Sequence, residues 1–361
     1  MIQIIIQYFD NNQLSFNILH SIFFKITAAL FTSFFITLLS GNKFINYLLS
    51  MQKNGQPIRI DGPSHHVITK KGTPCMGGLL IIVSIITSTF LWANIKNSYI
   101  LLLSFVVISF GLIGIIDDSK KLKKGNCQGL STKYKFLLQC FLSIICVLLI
   151  TYINYHNRLT NLVLPFIKNQ ILDLGNFYFI FGIFVITGSS NAVNLTDGLD
   201  GLAIGTIIIS SIFLIIVAYL SSNIITARYL KLIYIQNASE IMIFCAAIIG
   251  SSLGFLWYNA PPAKVFMGDT GSLALGAAIG VISIIIKNEL LLLLIGIVFV
   301  FETISVVLQV GSFKLTGKRI FKMAPIHHHF EKIGWSEATI VIRFWIITVI
   351  FGFVGIYSIY S

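Results

Sequence analysis

The chain has 361 residues, of which 56% are hydrophobic and only 11% charged, and its mean hydropathy is +0.89. Soluble domains carry about 25% charged residues, so a soluble globular protein is excluded and an integral membrane protein of many spans is expected. A net charge of +12 would suggest nucleic acid as the partner of a soluble protein; here it lies in loops, where it signals topology and suits an anionic substrate and an anionic lipid surface, not nucleic acid.

Apolar runs of roughly 20 residues, enough for a spanning helix, recur along the whole chain. They leave no room for a separate soluble domain, so 1–361 reads as one transmembrane domain. The first ten residues lack a basic segment and contain Asp10, and no small-residue cleavage site follows, so no cleavable signal peptide is expected. Ten helices are predicted, over 18–40, 74–94, 98–116, 134–153, 176–193, 199–218, 239–258, 272–287, 290–312 and 338–359. Between the fourth and fifth, LVLPFIKNQILDLG holds two β-prone runs that fit a small hairpin. Alternate connections differ in charge: those around 41–73, 117–135, 259–267 and 313–337 hold 17 of the 25 Lys and Arg residues, and the opposite set holds six. The basic side is the cytoplasmic side, which puts both termini outside. The cysteines (Cys75, Cys127, Cys140, Cys146, Cys245) show no CxxC spacing, so neither a disulfide framework nor a zinc site is expected.

Five stretches carry chemistry, all on the basic side. PIRIDGPSHHVITKKGTPCMGG, residues 57–78, combines Lys70 and Lys71 with glycines at a helix entry, where backbone amides can hold phosphate oxygens; an ordinary basic loop would look the same. GIIDDSKKLKKGNCQGLSTKYK, residues 114–135, sets Asp117 and Asp118 beside a run of lysines. Adjacent carboxylates need a counter-charge, which Mg²⁺ or those lysines could supply; hard oxygen ligands with substrate phosphates are the usual Mg²⁺ arrangement. NAVNLTDGLDG, residues 191–201, packs Asn191, Asn194, Asp197 and Asp200 more densely than a turn requires, as a surface recognising a base, sugar or metal would. In NAPPAKVFMGDTGS, residues 259–272, Asp269 reads as a metal ligand or nucleophile, or else Asp269 or Thr270 caps the next helix. FKLTGKRIFKMAPIHHHFEKIGWSE, residues 313–337, holds His327, His328 and His329; three consecutive histidines cannot all face one metal from a helix, and contact with a pyrophosphate suits them better.

Together these parts suit phosphoryl transfer at a membrane surface, with a groove open to a lipid-borne acceptor. An ion-coupled transporter would also place acids near spans, but in mid-membrane and often in broken helices. Apart from Glu302 and Glu240, the interiors of the predicted spans hold no acids, and Glu302 has no assigned role.

In this order, the five stretches resemble the phospho-N-acetylmuramoyl-pentapeptide transferase family of the polyprenyl-phosphate N-acetylhexosamine-1-phosphate transferases. NAVNLTDGLDG, VFMGDTGS and APIHHHFE are its most specific motifs; relatives that transfer N-acetylglucosamine phosphate, the competing reading, keep the aspartates without the histidine run. The resemblance implies an all-α polytopic bundle of about ten transmembrane helices in the bacterial inner (cytoplasmic) membrane, with the active site on its cytoplasmic face. It implies Mg²⁺-dependent transfer from UDP-N-acetylmuramoyl-pentapeptide to undecaprenyl phosphate, giving lipid I and UMP, and a homodimer. Carried over by position, Asp269 is the Mg²⁺ aspartate. Asp117 and Asp118 are the paired acids and candidate further ligands, with Asp117 the base toward the lipid phosphate. Asn191, Asn194, Asp197 and Asp200 help form the nucleotide site, where Asp200 and Phe266 meet uracil. Lys70, Lys121 and Lys133 match phosphate-facing positions, and His327 and His328 the essential part of the histidine run. Two departures stand out: Cys75 replaces a threonine and Ser119 a tyrosine.

Overall fold

The computed structural model describes residues 20–52, 55–57, 70–154, 160–167 and 171–360. Residues 58–69, and with them most of the first sequence stretch, lie outside this set. In chain order the elements are α1 (Ile22–Met51), α2 (Gly78–Trp92), α3 (Ser98–Lys124), α4 (Thr132–Ile153), β1 (Asn161–Val163), β2 (Ile171–Asp173), α5 (Phe177–Thr196) and α6 (Leu202–Ser222). There follow α7 (Ile224–Tyr229), α8 (Ser239–Asn259), α9 (Gly268–Ile285), α10 (Leu291–Ile295), α11 (Ile297–Thr316), α12 (Ile326–Ile333) and α13 (Glu337–Tyr360). Among the described residues, nine helices are long and apolar enough to cross a membrane, and α2 is a shorter apolar helix. Every predicted span therefore corresponds to a helix, as expected where backbone groups find no water to bond with. The hairpin is present too: β1 and β2 pair antiparallel, Asn161 opposite Asp173 and Val163 opposite Ile171.

Burial orders the bundle. Of the most apolar stretch of α9, 94% is buried, and of α8 83%, against 17% for α1. α9 packs on α3 and α5, and α8 on α1 and α6. Small residues such as Ala274, Ala277 and Ala278 make up much of α9 and let the neighbouring backbones close in. The outer helices turn Phe31, Phe35, Phe141, Phe184, Val307 and Phe353 outward, as lipid-facing surfaces should. A second, smaller core joins α11, α12 and α13 to the start of α6 through Leu202, Val298, Ile340 and Phe344.

The structure corrects several expected boundaries, and the corrections bear on the site. α3 runs on to Lys124, so Asp117 and Asp118 lie on a helix and not in a loop. α9 begins at Gly268, which puts Asp269 in its first turn. The expected span 290–312 is broken at Gly296 into α10 and α11. The histidine run opens a short helix, α12, with Pro325 at its N-cap. α3, α5, α8 and α11 end, and α4, α6, α9 and α13 begin, at the same end of the bundle, and the site lies there.

Candidate active site

α3 contributes Asp117, Asp118 and Lys121 from its last two turns. Asp117 and Lys121 are one helical turn apart, a spacing that brings side chains together, and Lys121 Nζ lies 2.7 Å from Asp117 Oδ2. The same ammonium is 3.0 Å from Asp269 Oδ2 and 3.6 Å from Asp118 Oδ1. One ligand oxygen from each of Asp117, Asp118 and Asp269 falls within 4.8 Å of the others. Three hard oxygen donors at this spacing fit a divalent cation of the Mg²⁺ type.

The capping reading of Asp269 and Thr270 does not hold. The start of α9 has no side-chain cap of its own. Its free amides, which every helix start must satisfy, are met from another helix: Thr270 N–H donates to Asp118 Oδ2 at 3.0 Å, Asp269 N–H to Asp118 Oδ1 at 3.3 Å, and the Thr270 hydroxyl to Oδ2 at 2.9 Å. Asp118 is thus the cap of α9, supplied by α3. Asp117 is fixed by the loop that follows α3, through the Leu130 N–H at 2.7 Å.

Asp269 is held from two further sides. Asn194 on α5 donates to its Oδ1 at 2.9 Å and also to Ser272 Oγ at 2.9 Å. Lys135 on α4 meets its Oδ2 at 2.5 Å. The resemblance points to Lys133, whereas Lys135 is the lysine of α4 that reaches Asp269. Ser131 caps α4, and helical periodicity from there turns Lys135 and Gln139 inward and Lys133 out; Lys133 is exposed and does not line the cavity described next. Asn191 is also drawn elsewhere: its amide donates to Gln139 Oε1 at 2.8 Å, behind the site.

A cavity of about 310 Å³ opens beside the carboxylates, lined by Lys70, Lys121, Asn194, Asp197, Asp200, Phe266, Asp269, His327 and His328 among others. Lys70 Nζ sits 3.0 Å from Asp200 Oδ1 and 3.2 Å from Glu337 Oε2 at the start of α13. The other Asp200 oxygen accepts from Ala263 N–H at 3.0 Å. The histidines differ from one another. His327 is buried and His328 partly so, with His328 Nδ1 2.6 Å from Glu331 Oε2, while His329 Nδ1 accepts from Lys322 N–H at 3.1 Å.

Burial, then the charges of Asp269, Asp118 and Asp200, push the Asp197 carboxyl up to about 8. Its folded pKa thus exceeds the ordinary value of about 3.9. The native state is then penalised progressively as pH rises from about 4 to about 8, and no further above that. Asp197→Asn removes the penalty. In detergent without divalent cations its Tm gain should grow between pH 5 and 8 and then level off, and a gain independent of pH would contradict this. Burial first, and then Asp118, also holds the Cys75 thiol well above its ordinary range. Cys75 is buried against Gly268 and Asp118, and its backbone is clamped by Gln52 at 2.9 and 3.0 Å. The position that departs from the resembled motif is therefore packed under the carboxylates.

Residues 99–287 match glycosyl transferase family 4, and residues 70–82 match the phospho-N-acetylmuramoyl-pentapeptide-transferase signature 1. The chain is 53% identical over 344 residues to the phospho-N-acetylmuramoyl-pentapeptide-transferase of Rickettsia prowazekii (strain Madrid E), covering 95% of this chain and 94% of the relative. The chain belongs to the phospho-N-acetylmuramoyl-pentapeptide-transferase family. The transferase of Pelagibacter ubique (strain HTCC1062) is 49% identical over 346 residues, 96% of each chain, and that of Rickettsia felis is 52% identical over 344 residues. The family signature begins at Lys70 and runs into α2, and the longer match spans every aspartate of the site. Glu302 and the histidine run lie beyond both.

Proposed function

We propose that this chain transfers phospho-N-acetylmuramoyl-pentapeptide from its UDP-linked donor to undecaprenyl phosphate, releasing UMP, at the cytoplasmic face of the bacterial inner membrane. The observation that carries the reading is the meeting of Asp117, Asp118 and Asp269 beside a cavity that Lys70, Lys121, His327 and His328 line. Phosphoryl transfer asks a protein mainly for positioning and for positive charge around the phosphates, and this cavity offers both. The excess of Lys and Arg at the site's end of the bundle supports the cytoplasmic side, and 1–361 acts as one domain.

In the proposed reaction a phosphate oxygen of the lipid attacks the β-phosphorus of the donor. The bond from that phosphorus to the bridging oxygen breaks, and UMP departs with the oxygen. Asp117 accepts the proton of the lipid phosphate. Asp269, with Asp118 and Asp117, would hold Mg²⁺, which when bound supplies charge neutralisation at the phosphates. Lys121 and Lys135, which pair with the same carboxylates, lie close enough to turn toward those phosphates, and Lys70 stands at the nucleotide end. Phe266 stacks on uracil beside Asp200, and Asn194 keeps Asp269 in place. Carboxylates gathered at helix ends, and not in mid-bundle, tell against ion-coupled transport.

The test is UMP release by purified protein in detergent with undecaprenyl phosphate, Mg²⁺ and either UDP-N-acetylmuramoyl-pentapeptide or UDP-N-acetylglucosamine. UMP should appear with the muramoyl donor alone and vanish with EDTA. UMP from the glucosamine donor alone would reassign the substrate, and UMP exchange without the lipid would favour a covalent aspartyl intermediate.

A further inference from the structure

Glu302 is fully buried although α11 turns most of its surface outward. Its neighbour is His327 in the first turn of α12, also fully buried, with Nδ1 3.0 Å from Glu302 Oε2. Among the described residues neither Glu302 oxygen and neither His327 nitrogen has another partner, and the pair itself lies at ion-pair distance without hydrogen-bond alignment. A buried carboxylate and imidazole so isolated have only each other to satisfy them, and a small turn of the ring aligns them. The second core, through Val298 of α11, Phe330 of α12 and Phe344 of α13, fixes the two helices at this distance.

The far edge of the ring settles what the pairing achieves. His327 Nε2 abuts Gly198, where a Cβ would sit 2.3 Å from it. Gly198 lies between Asp197 and Asp200 in the loop that lines the cavity, and His327 lines it as well. The imidazole is therefore held from behind by Glu302, with Nε2 packed against Gly198 of the loop that lines the cavity. We propose that Glu302 is a positioning residue for the transfer reaction: it keeps the proton on His327 Nδ1, so that Nε2 stands as an unprotonated acceptor at the loop carrying Asp197 and Asp200. The proposal rests on the reaction proposed above. It also separates the three histidines chemically, because His329 Nδ1 is an acceptor and its neighbour's Nδ1 faces Glu331.

The experiment compares the full-length wild type with Glu302→Gln, Glu302→Leu, His327→Ala and the double variant Glu302→Leu/His327→Ala, all by UMP release. Outer partners that orient a histidine are typically worth about 10- to 100-fold. Glu302→Leu should lose kcat on that scale with KM nearly unchanged, the pattern of an interaction made in the transition state. Glu302→Gln still offers an oxygen to Nδ1–H and should stay within about tenfold of wild type. The double variant should be no worse than His327→Ala alone, since residues acting as a unit do not add. Losses that multiply, a Gln variant as inactive as Leu, or full activity in Glu302→Leu would each overturn the proposal. A wild type that releases no UMP would instead sink the underlying reaction. ¹⁵N-histidine NMR then decides the positioning role alone: His327, assigned by its loss in His327→Ala, should be a single Nδ1–H tautomer that becomes mixed in Glu302→Leu, and an unchanged spectrum there would overturn it.

Discussion

Asp269→Asn should abolish UMP release while leaving the protein folded. The substitution keeps the size of the side chain and an oxygen that can still accept from Asn194, whose amide bonds Oδ1 at 2.9 Å. It removes the charge that draws in Lys121 at 3.0 Å and Lys135 at 2.5 Å, and with it the most shared ligand of the cation site. A bound divalent ion supplies several kcal/mol of charge stabilisation in the transition state. At about 1.4 kcal/mol per tenfold in rate, the loss should be on the order of 10³-fold. Turnover and the thermal unfolding midpoint in detergent would be measured together. Normal turnover in a folded variant would remove Asp269 from the proposed chemistry.

Lys135 provides a graded companion result. Lys135→Ala leaves Lys121 on the same carboxylate oxygen and lies outside the α3 cluster. It should lower the rate by roughly 10-fold, in line with one charge-assisted contact, and Lys133→Ala should change it by less than about twofold. Equal effects of the two would mean that the inward turn of α4 seen here does not govern the reaction.

Hydropathy made the spans legible, since a helix of apolar side chains is the form a chain takes when its backbone must satisfy itself. It failed at the helix ends for a physical reason. The apolar run of α3 stops at Ile116, yet the helix continues through eight more residues, DDSKKLKK, because Asp117 and Lys121 pair one turn apart and Asp118 is tied to the amides of α9. That tie joins residues 152 positions apart, and no local pattern announces it. The same contact explains why α9 begins at Gly268 without a cap of its own.

The site was legible as a set of residue types more than as a set of partners. Asp117, Asp118, Asn194, Asp269 and Lys121 stand out in sequence as polar groups beside hydrocarbon, and they come together. Lys135 was obscured by the basic run around it, although the helical period counted from Ser131 would have turned it inward with Gln139. Glu302 was visible as an acid inside a span, but its partner lies across a loop and on a different helix, so the pairing with His327 could not be read.

Gly114→Ala should be nearly as damaging as loss of a carboxylate, although it adds one methyl group and no charge. A Cβ at Gly114 would fall 2.3 Å from Asp269 O and 2.4 Å from both Asp269 C and Thr270 Cα. These are backbone atoms of the first turn of α9, so no side-chain rotation relieves the clash. The two helices must part, and the hydrogen bonds from the α9 amides to Asp118 stretch with them. Overpacking alone costs about 1–3 kcal/mol of stability. A displacement near 1 Å among reacting groups costs about 10²-fold in rate, and the Mg²⁺ concentration for half-maximal activity should rise because the ligand aspartates come from both helices. Gly111→Ala, one turn earlier on the same face, is the control. There the new methyl meets the movable tip of Ile82, Cδ1 at 2.5 Å, and nothing else nearer than 3.8 Å. It should leave the rate within a few-fold and the Mg²⁺ dependence unchanged. If Gly111→Ala and Gly114→Ala behave alike, the close approach of α3 and α9 is a packing preference of the bundle; if only Gly114→Ala fails, that approach is what sets the spacing of the carboxylates.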